Sequence, residues 1–331
     1  GTAAVDGTVA LTTNGNGAAT IVNDAGLSFA ASTVRGALSA TATTGDITDS
    51  GNLTITGAAT FITGVDESNI VLDSSGNAFS NSVEMRADAG GEDFGNITFV
   101  DSAGIDFATS AGSNGDLYIN SSTDGTVGGN LSVTATTGNI TDTVAVVTTG
   151  SSTSSFTTSA TNGTIDLSTP ASLAGAVTIN TTGASGNATI DNGTTALIIA
   201  ESSIGGNLTV TSGAAAGITD TGTVTVGGNL VATTDANNGV INLGTTTVTG
   251  TMDLTSNGSG NVTIDNATED IVLIASEIGG NLTLTSGATA GITDTGTVTV
   301  AGNLVATTDA GNGVINLGTT TVTGTMDLTS H

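Results

Sequence analysis

The chain has 331 residues, with 29 acidic side chains against two basic ones (a formal charge of −27), 49 glycines, one proline and no cysteine. A field of that sign repels nucleic acid and anionic lipid alike, and the missing thiols rule out a disulfide framework and any thiolate metal centre. With His331 the only histidine and no lysine, no Ser-His-Asp, Cys-His or Ser-Lys centre can be assembled, and no apolar run approaches the ~18 residues that would span a membrane.

In chain order, the first recognisable element is GALSATATTGDITD at 36–49, which returns as GNLSVTATTGNITD at 129–142. Next, GNATIDN at 186–192 returns as GNVTIDN at 260–266. Residues 204–256 then return almost letter for letter at 278–330, 74 residues later. Self-similarity at a fixed spacing is the signature of stacked supersecondary units that bury their apolar faces on one another. The 74-residue block has a finer grain. Gly205-Gly206-Asn207-Leu208 recurs 22 residues on at Gly227-Gly228-Asn229-Leu230, and a variant, Thr249-Gly250-Thr251-Met252, follows 22 further on. The other 30 residues of the block hold GNVTIDNATEDIVLIAS, 260–276.

Apolar and polar residues alternate with period two inside each subunit: Leu208 and Val210 face one way and Thr209 and Thr211 the other, as do Leu282 and Leu284 against Thr283 and Thr285. Period two is the signal of a strand, and Gly, Asn, Asp and Ser clusters cut the runs every five to eight residues. Thr, Gly, Val, Ile, Asn and Ser dominate where a helical repeat would need helix formers at 3.6-residue spacing. The fold class is therefore all-β, a single-stranded parallel β-helix with about 22 residues per coil, each coil stacked on the last at about 4.8 Å. Roughly 15 coils would make a rod on the order of 70 Å long. No Pro-rich or charged linker interrupts the pattern, so residues 1–330 are expected to form one continuous solenoid, with His331 the start of a purification tag on an internal fragment.

The inward ladders are expected to run Leu208, Leu230, Met252 and Val210, Ala232, Leu254, in a core too narrow for many aromatic rings. Asn130, Asn207, Asn229, Asn281 and Asn303 follow glycine at one point of their coils, where side-chain amides can bond along the stack or the residue can take a left-handed turn. Ile-Thr-Asp-(Ser/Thr) recurs at 47–50, 140–143, 218–221 and 292–295. Its aspartate is expected to bond its own backbone two residues on and begin a turn. The other reading is a column of carboxylates for Ca²⁺, which takes six to eight oxygens. Denser acidic spots at Asp66-Glu67, Glu92-Asp93 and Glu269-Asp270 are the candidate Ca²⁺ ligands; no catalytic residue and no other cofactor is expected. Thr-x-Thr pairs such as Thr41/Thr43 and Thr134/Thr136 read as the outer face of ordinary strands.

The GGNL(T/S)VT, TTGNITD and NGTIDL phrases at 128–143, 205–222, 279–296 and 163–167 resemble the repeats of large bacterial exoproteins of the filamentous haemagglutinin type. That resemblance implies a right-handed β-helical shaft, a hand that parallel crossovers in general share. It also implies a secreted or surface-displayed adhesin making cell–cell or cell–surface contacts through regions outside this chain. Three functions follow in order: a structural shaft that spaces a binding tip from the cell, a self-associating surface-layer or biofilm-matrix protein assisted by Ca²⁺, and a polysaccharide-acting enzyme. The third needs clustered carboxylates and aromatic platforms, whereas these acids are scattered about one per turn.

Overall fold

The computed structural model describes all residues but 66, 88–94, 109–115, 120–125, 236–237 and 310, and, within strands, the side chains of 116–118 and 126–127. Among the described residues there is no helix, and every paired strand runs parallel to its neighbour. The chain divides into two compact units, Gly1–Thr169 and Pro170–His331. Each is a parallel β-solenoid whose two long sheets enclose the core.

In the second unit the expected ladders are present. Leu208 lies beside Leu230 and Leu230 beside Met252, while Val210, Ala232 and Leu254 form the parallel rank. All six side chains are buried. The strands alternate buried and partly exposed positions because successive Cβ atoms point to opposite faces, and β-branched threonine fills the outer positions, where it suits a pleated surface. Ala232 is the small member of its rank, between Val210 and Leu254.

In the second unit an ordinary turn holds one continuous strand in one sheet and two short strands in the other. Leu208–Ser212 lies in the first sheet, Ile218–Asp220 and Val224–Val226 in the second, and Leu230–Thr234 returns to the first. The 30-residue stretch breaks this rule. There, Thr251–Ser256 in the first sheet is followed by another continuous strand, Val262–Asp265, in the second, and the short pair Ile271–Leu273 and Ser276–Ile278 falls in the first. Leu208, Leu230, Met252 and Leu273 mark three full turns within one sheet. Leu282, the repeat partner of Leu208, sits half a turn further on in the opposite sheet. The 74-residue block is thus three and a half turns, and near-identical sequences face opposite sides. The first unit behaves alike: Leu38–Ala42 and its copy Leu131–Ala135 lie in different sheets.

Two differences from expectation concern the first unit. Ile47 pairs with Ile70, Ile70 with Ile97 and Ile97 with Leu131, so the step widens well beyond 22 residues; the chain makes about 13 turns instead of roughly 15. Its core also takes aromatic rings readily. Phe29, Phe61, Phe79 and Phe99 form a column with ring centroids 6.2, 6.1 and 5.2 Å apart, the first two contacts edge-to-face, and Phe107 meets Phe156 at 6.0 Å. Edge-to-face contact lets rings on different turns interlock without widening the coil.

Turns between strands demand glycine at a few positions. Gly217 and its repeat partner Gly291 have φ of +66° and +80°, and a Cβ at either would overlap the carbonyl of Val240 or Val314 on the next turn.

Candidate functional site

The half-turn switch is where the solenoid departs from plain repetition, and it is built around one buried side chain. After the continuous strand of the GNxTIDN phrase the chain turns away, so the last residue of the short strand one turn back loses its backbone partner. Val248 is such a residue. The Asn266 side chain replaces that partner: its Oδ1 accepts from the Val248 N–H at 2.7 Å, and its Nδ2 donates to the Val248 carbonyl at 3.0 Å and the Asp270 carbonyl at 2.6 Å. Asn192 does the same for Leu173, at 2.7 and 3.1 Å, and Asn23 for Val5, at 2.9 and 3.0 Å. All three asparagines are fully buried. A primary amide is the one neutral side-chain group that copies both halves of a peptide unit, which a buried unpaired backbone group requires.

Asp101 occupies the fourth such position, at the end of GNITFVD. It is 1 % exposed, and its Oδ1 accepts from the Phe79 N–H at 3.2 Å and the Ala103 N–H at 3.4 Å. A carboxylate has no hydrogen to return to the Phe79 carbonyl. Burial pushes the Asp101 carboxyl up to about 6, against which the N–H groups of Phe79, Ala103 and Ser102 pull only weakly.

Beside each switch of the first unit the missing strand leaves a groove. The one beside Asp101 has a volume of about 590 Å³ and is lined by Ser80, Ser102, Ile105, Asp106, Asn139 and Thr141 among others. Its counterpart beside Asn23, about 450 Å³, is lined by Asp6, Leu27, Asp46 and Thr48 at matching positions. In the first groove Asp106 accepts from the Thr141 hydroxyl at 2.9 Å. The neighbouring Asp142 is raised to about 6 by burial, with Asp166 and Asp106 adding repulsion and Thr169 opposing it. Its Oδ2 is buried without a partner.

Asp142 belongs to the Ile-Thr-Asp series, and the structure corrects the reading of that motif. The aspartate does not bond its own backbone two residues on; it reaches the turn of the next coil. Asp220 accepts from the Gly244 N–H at 3.0 Å and from the Thr245 N–H and hydroxyl at 2.8 and 2.7 Å. Asp294 holds Gly318 and Thr319 likewise, with the Thr320 hydroxyl at 2.8 Å, and Asp49 holds the Asp73 N–H at 2.9 Å. At Asp294 burial raises the carboxyl, but these donors outweigh it and hold it below the ordinary range. The local two-residue bond does occur elsewhere, from Asp191 to Gly193 and from Asp265 to Ala267.

The glycine-following asparagines take the first of the two roles expected of them. The Asn187 Oδ1 accepts from the Asn207 N–H, Asn207 from Asn229 and Asn229 from Thr251, at 2.8, 2.8 and 2.9 Å. Asn261, Asn281, Asn303 and Thr325 repeat the series. In the first unit it runs from Asp46 through Asn69, Asn96 and Asn130 to Thr153.

Of the candidate Ca²⁺ ligands, Asp66, Glu92 and Asp93 lie outside the described residues. Glu67 sits in a turn at φ 59°. Glu269 and Asp270 serve the switch: the Glu269 carbonyl accepts from the Ser286 hydroxyl at 2.9 Å, and the Asp270 carboxylate accepts from the Gly291 N–H at 3.1 Å. Among the described residues no three acidic or histidine side chains come together in a set that could hold a metal ion. The functional residue that sequence reading missed is the buried asparagine of the switch; its signal was a shared phrase ending in Asn at 192 and 266, just where the 22-residue rhythm slips.

A family model described as repeats of unknown function, DUF5649, matches residues 16–86, 185–240 and 259–329, more than half of the chain. The chain belongs to this family. All three matched stretches begin just before a switch strand, so that the family repeat carries Asn23, Asn192 and Asn266 at the same point. No curated protein and no solved structure matches the chain.

Proposed function

We propose that this chain is a spacer: a stretch of β-helical shaft in a secreted or surface-displayed bacterial protein of the adhesin type, holding a binding region away from the cell without chemistry of its own. The observation that carries this reading is the recurrence of one set of stacking devices in both units. The asparagine ladder and the apolar ranks pass from coil to coil, and the aspartate that holds the next turn returns in both units, at Asp49, Asp142, Asp220 and Asp294. A catalytic or recognition site is assembled once from unlike residues, whereas a shaft grows by duplicating like ones. The test applies the purified chain to a glycan array and to cultured cells. No saturable binding is expected; saturable binding lost on substituting Asp106 and Asn139 together would move recognition into the groove beside Asp101.

A second reading, lateral self-association assisted by Ca²⁺, is favoured by one observation: the near-identical halves of the second unit display the same outer residues on opposite sheets. A molecule with like faces on two sides can be flanked by copies on both, and its 29 acidic residues would then need divalent cations between neighbours. Sedimentation velocity in millimolar Ca²⁺ and in chelator separates the readings, since a spacer stays monomeric in both.

A further inference from the structure

Four buried side chains stand at switch positions, and one of them cannot do what the other three do. The amides of Asn23, Asn192 and Asn266 accept from the N–H they face at 2.9, 2.7 and 2.7 Å and donate to the carbonyl of the same residue. At Asp101 the accepting bond is longer, 3.2 Å from the Phe79 N–H, and while the carboxyl is ionised it offers the Phe79 carbonyl no hydrogen.

The strand that leans on this contact has little else to hold it. Ala78–Phe79 is two residues long and is the last strand of a three-stranded sheet, paired on one side with Leu53–Ile55. Its other side borders the groove of about 590 Å³, and there the Ser102 N–H on the Asn77 carbonyl, at 2.7 Å, is the other tie to the next turn among the described residues. Short elements with few such ties are the ones that open locally while the rest of a structure stays folded. No described base neutralises the Asp101 carboxylate. Ile70–Leu72 and Leu131–Ala135, the strands on either side of its own, carry no charge, and the titratable groups of the adjoining turns, Asp49, Asp73 and Asp106, are acids too. Asp49 is engaged with the Asn77 amide at 2.6 Å and the Asp73 N–H at 2.9 Å, and Asp106 with the Thr141 hydroxyl.

We propose that Asp101 and the Ala78–Phe79 strand form a proton-operated latch. Protonated, Asp101 donates its O–H to the Phe79 carbonyl and closes this switch as an amide closes the others. Ionised, it lets the strand part from the next turn, which draws the Phe79 ring out of its column between Phe61 and Phe99. The opening is confined to one turn, and it does not depend on the spacer reading. Burial holds the Asp101 carboxyl up at about 6 in the closed state, and exposure to water on opening returns it towards 3.8. The open form therefore binds the proton less tightly than the closed one, so its population climbs as pH rises from about 4 to about 6 and levels off above that.

The experiment follows hydrogen exchange of single amides by nuclear magnetic resonance in the intact chain, with isotope-labelled Phe, Leu and Val, and corrects each rate for the intrinsic effect of pH. The opening constant at the Phe79 amide should rise about 50-fold or more between about pH 4 and about pH 8. The amides of Leu173 and Val248, in the same position but held by Asn192 and Asn266, should keep theirs, and they serve as references that need no variant. Asp101→Asn should abolish the rise at Phe79. The proposal is overturned if protection at Phe79 does not change with pH, or if Leu173 and Val248 change along with it, which would mean a global loss of stability. A rise at Phe79 that survives in Asp101→Asn overturns it as well, and assigns the titration to another acid.

Discussion

Asp101→Asn is the substitution with the sharpest expected signature, because three other positions of the chain show what it should restore. Asn23, Asn192 and Asn266 each return a hydrogen bond to the carbonyl of the residue whose N–H they accept; Asp101 can do so only when protonated. Its carboxyl is raised from 3.8 to about 6 by burial, so the native state binds the proton more tightly than the unfolded chain does. For a raised acid, stability is unaffected below the unfolded value, falls as pH climbs from about 4 to about 6, and is lower by a constant amount above that. A shift of about two units corresponds to about 3 kcal/mol, and at 1 % exposure little of it is screened by solvent. Asp101→Asn removes the penalty and adds a donor. The variant should therefore be more stable than the parent by about 3 kcal/mol at pH 7.5 and nearly equal to it below pH 4. Urea unfolding followed by far-ultraviolet circular dichroism across this pH range reads the difference. A gap that does not change with pH, or a variant less stable at neutral pH, would refute the reasoning and show that Asp101 is held by partners that need its charge.

The converse, Asn266→Asp, should destabilise the second unit at pH 7.5 and recover as pH falls through the raised carboxyl value, read by the same titration. Asn266→Ala strands both polar groups of buried Val248 and should cost about 2–5 kcal/mol, whereas Asn229→Ala, whose Thr251 partner is reached by water, should cost about 1 kcal/mol or less; chemical denaturation compares them. Leu230→Ala opens a cavity between Leu208 and Met252 and should cost about 2–5 kcal/mol, while Thr209→Ala on the outer face should change little. Equal effects of those two would mean a register wrong by one residue.

Much of this architecture is legible in the residues because a solenoid writes its register into its sequence. Leu208, Leu230 and Met252 stand 22 residues apart and do stack, and the alternation of Thr209 and Thr211 with them sets the inner and outer faces. What escapes a linear reading is phase. The 30-residue stretch contains apolar runs like any other, and nothing in GNVTIDN says that its strand stands where a pair of short strands is due. The role of Asn266 is hidden for the same reason, since the groups it satisfies belong to Val248, a turn back. In the sequence the Ile-Thr-Asp aspartates look like local turn formers because Asp often bonds two residues on; stacking instead brings the next turn within reach, so Asp220 meets Gly244 and Thr245. Bulk alone argues against phenylalanine in so narrow a coil, and the edge-to-face packing that seats Phe29, Phe61 and Phe79 against one another exists only in the folded stack.

The half-turn gives block duplication a consequence that a whole-turn repeat lacks. Each 74-residue block extends its unit by three and a half turns, about 17 Å at the strand spacing, and presents its outer residues on the sheet opposite to that of the block before. Reach grows in proportion to block number, while any surface motif alternates between two sides, so a lengthened shaft stays balanced about its axis instead of accumulating one kind of residue along one face. The switch asparagine makes this alternation affordable in free energy, because without it every half-turn would leave a buried peptide group unpaired, at about 1–3 kcal/mol for each group. Selection for length alone does not require the 30-residue stretch; two 22-residue modules would extend the stack as well. The half-turn switch recurs in both units, with an amide or a carboxyl at the buried position of Asn23, Asp101, Asn192 and Asn266, and this ties the device to the arrangement of faces. A variant chain whose 30-residue stretch is replaced by a 22-residue module should keep its fold and stability yet bring the two copies of the block onto one sheet. Single cysteines at Thr209 and Thr283, spin-labelled and measured by double electron–electron resonance, distinguish the arrangements: across the core in the parent chain, along one face in the variant.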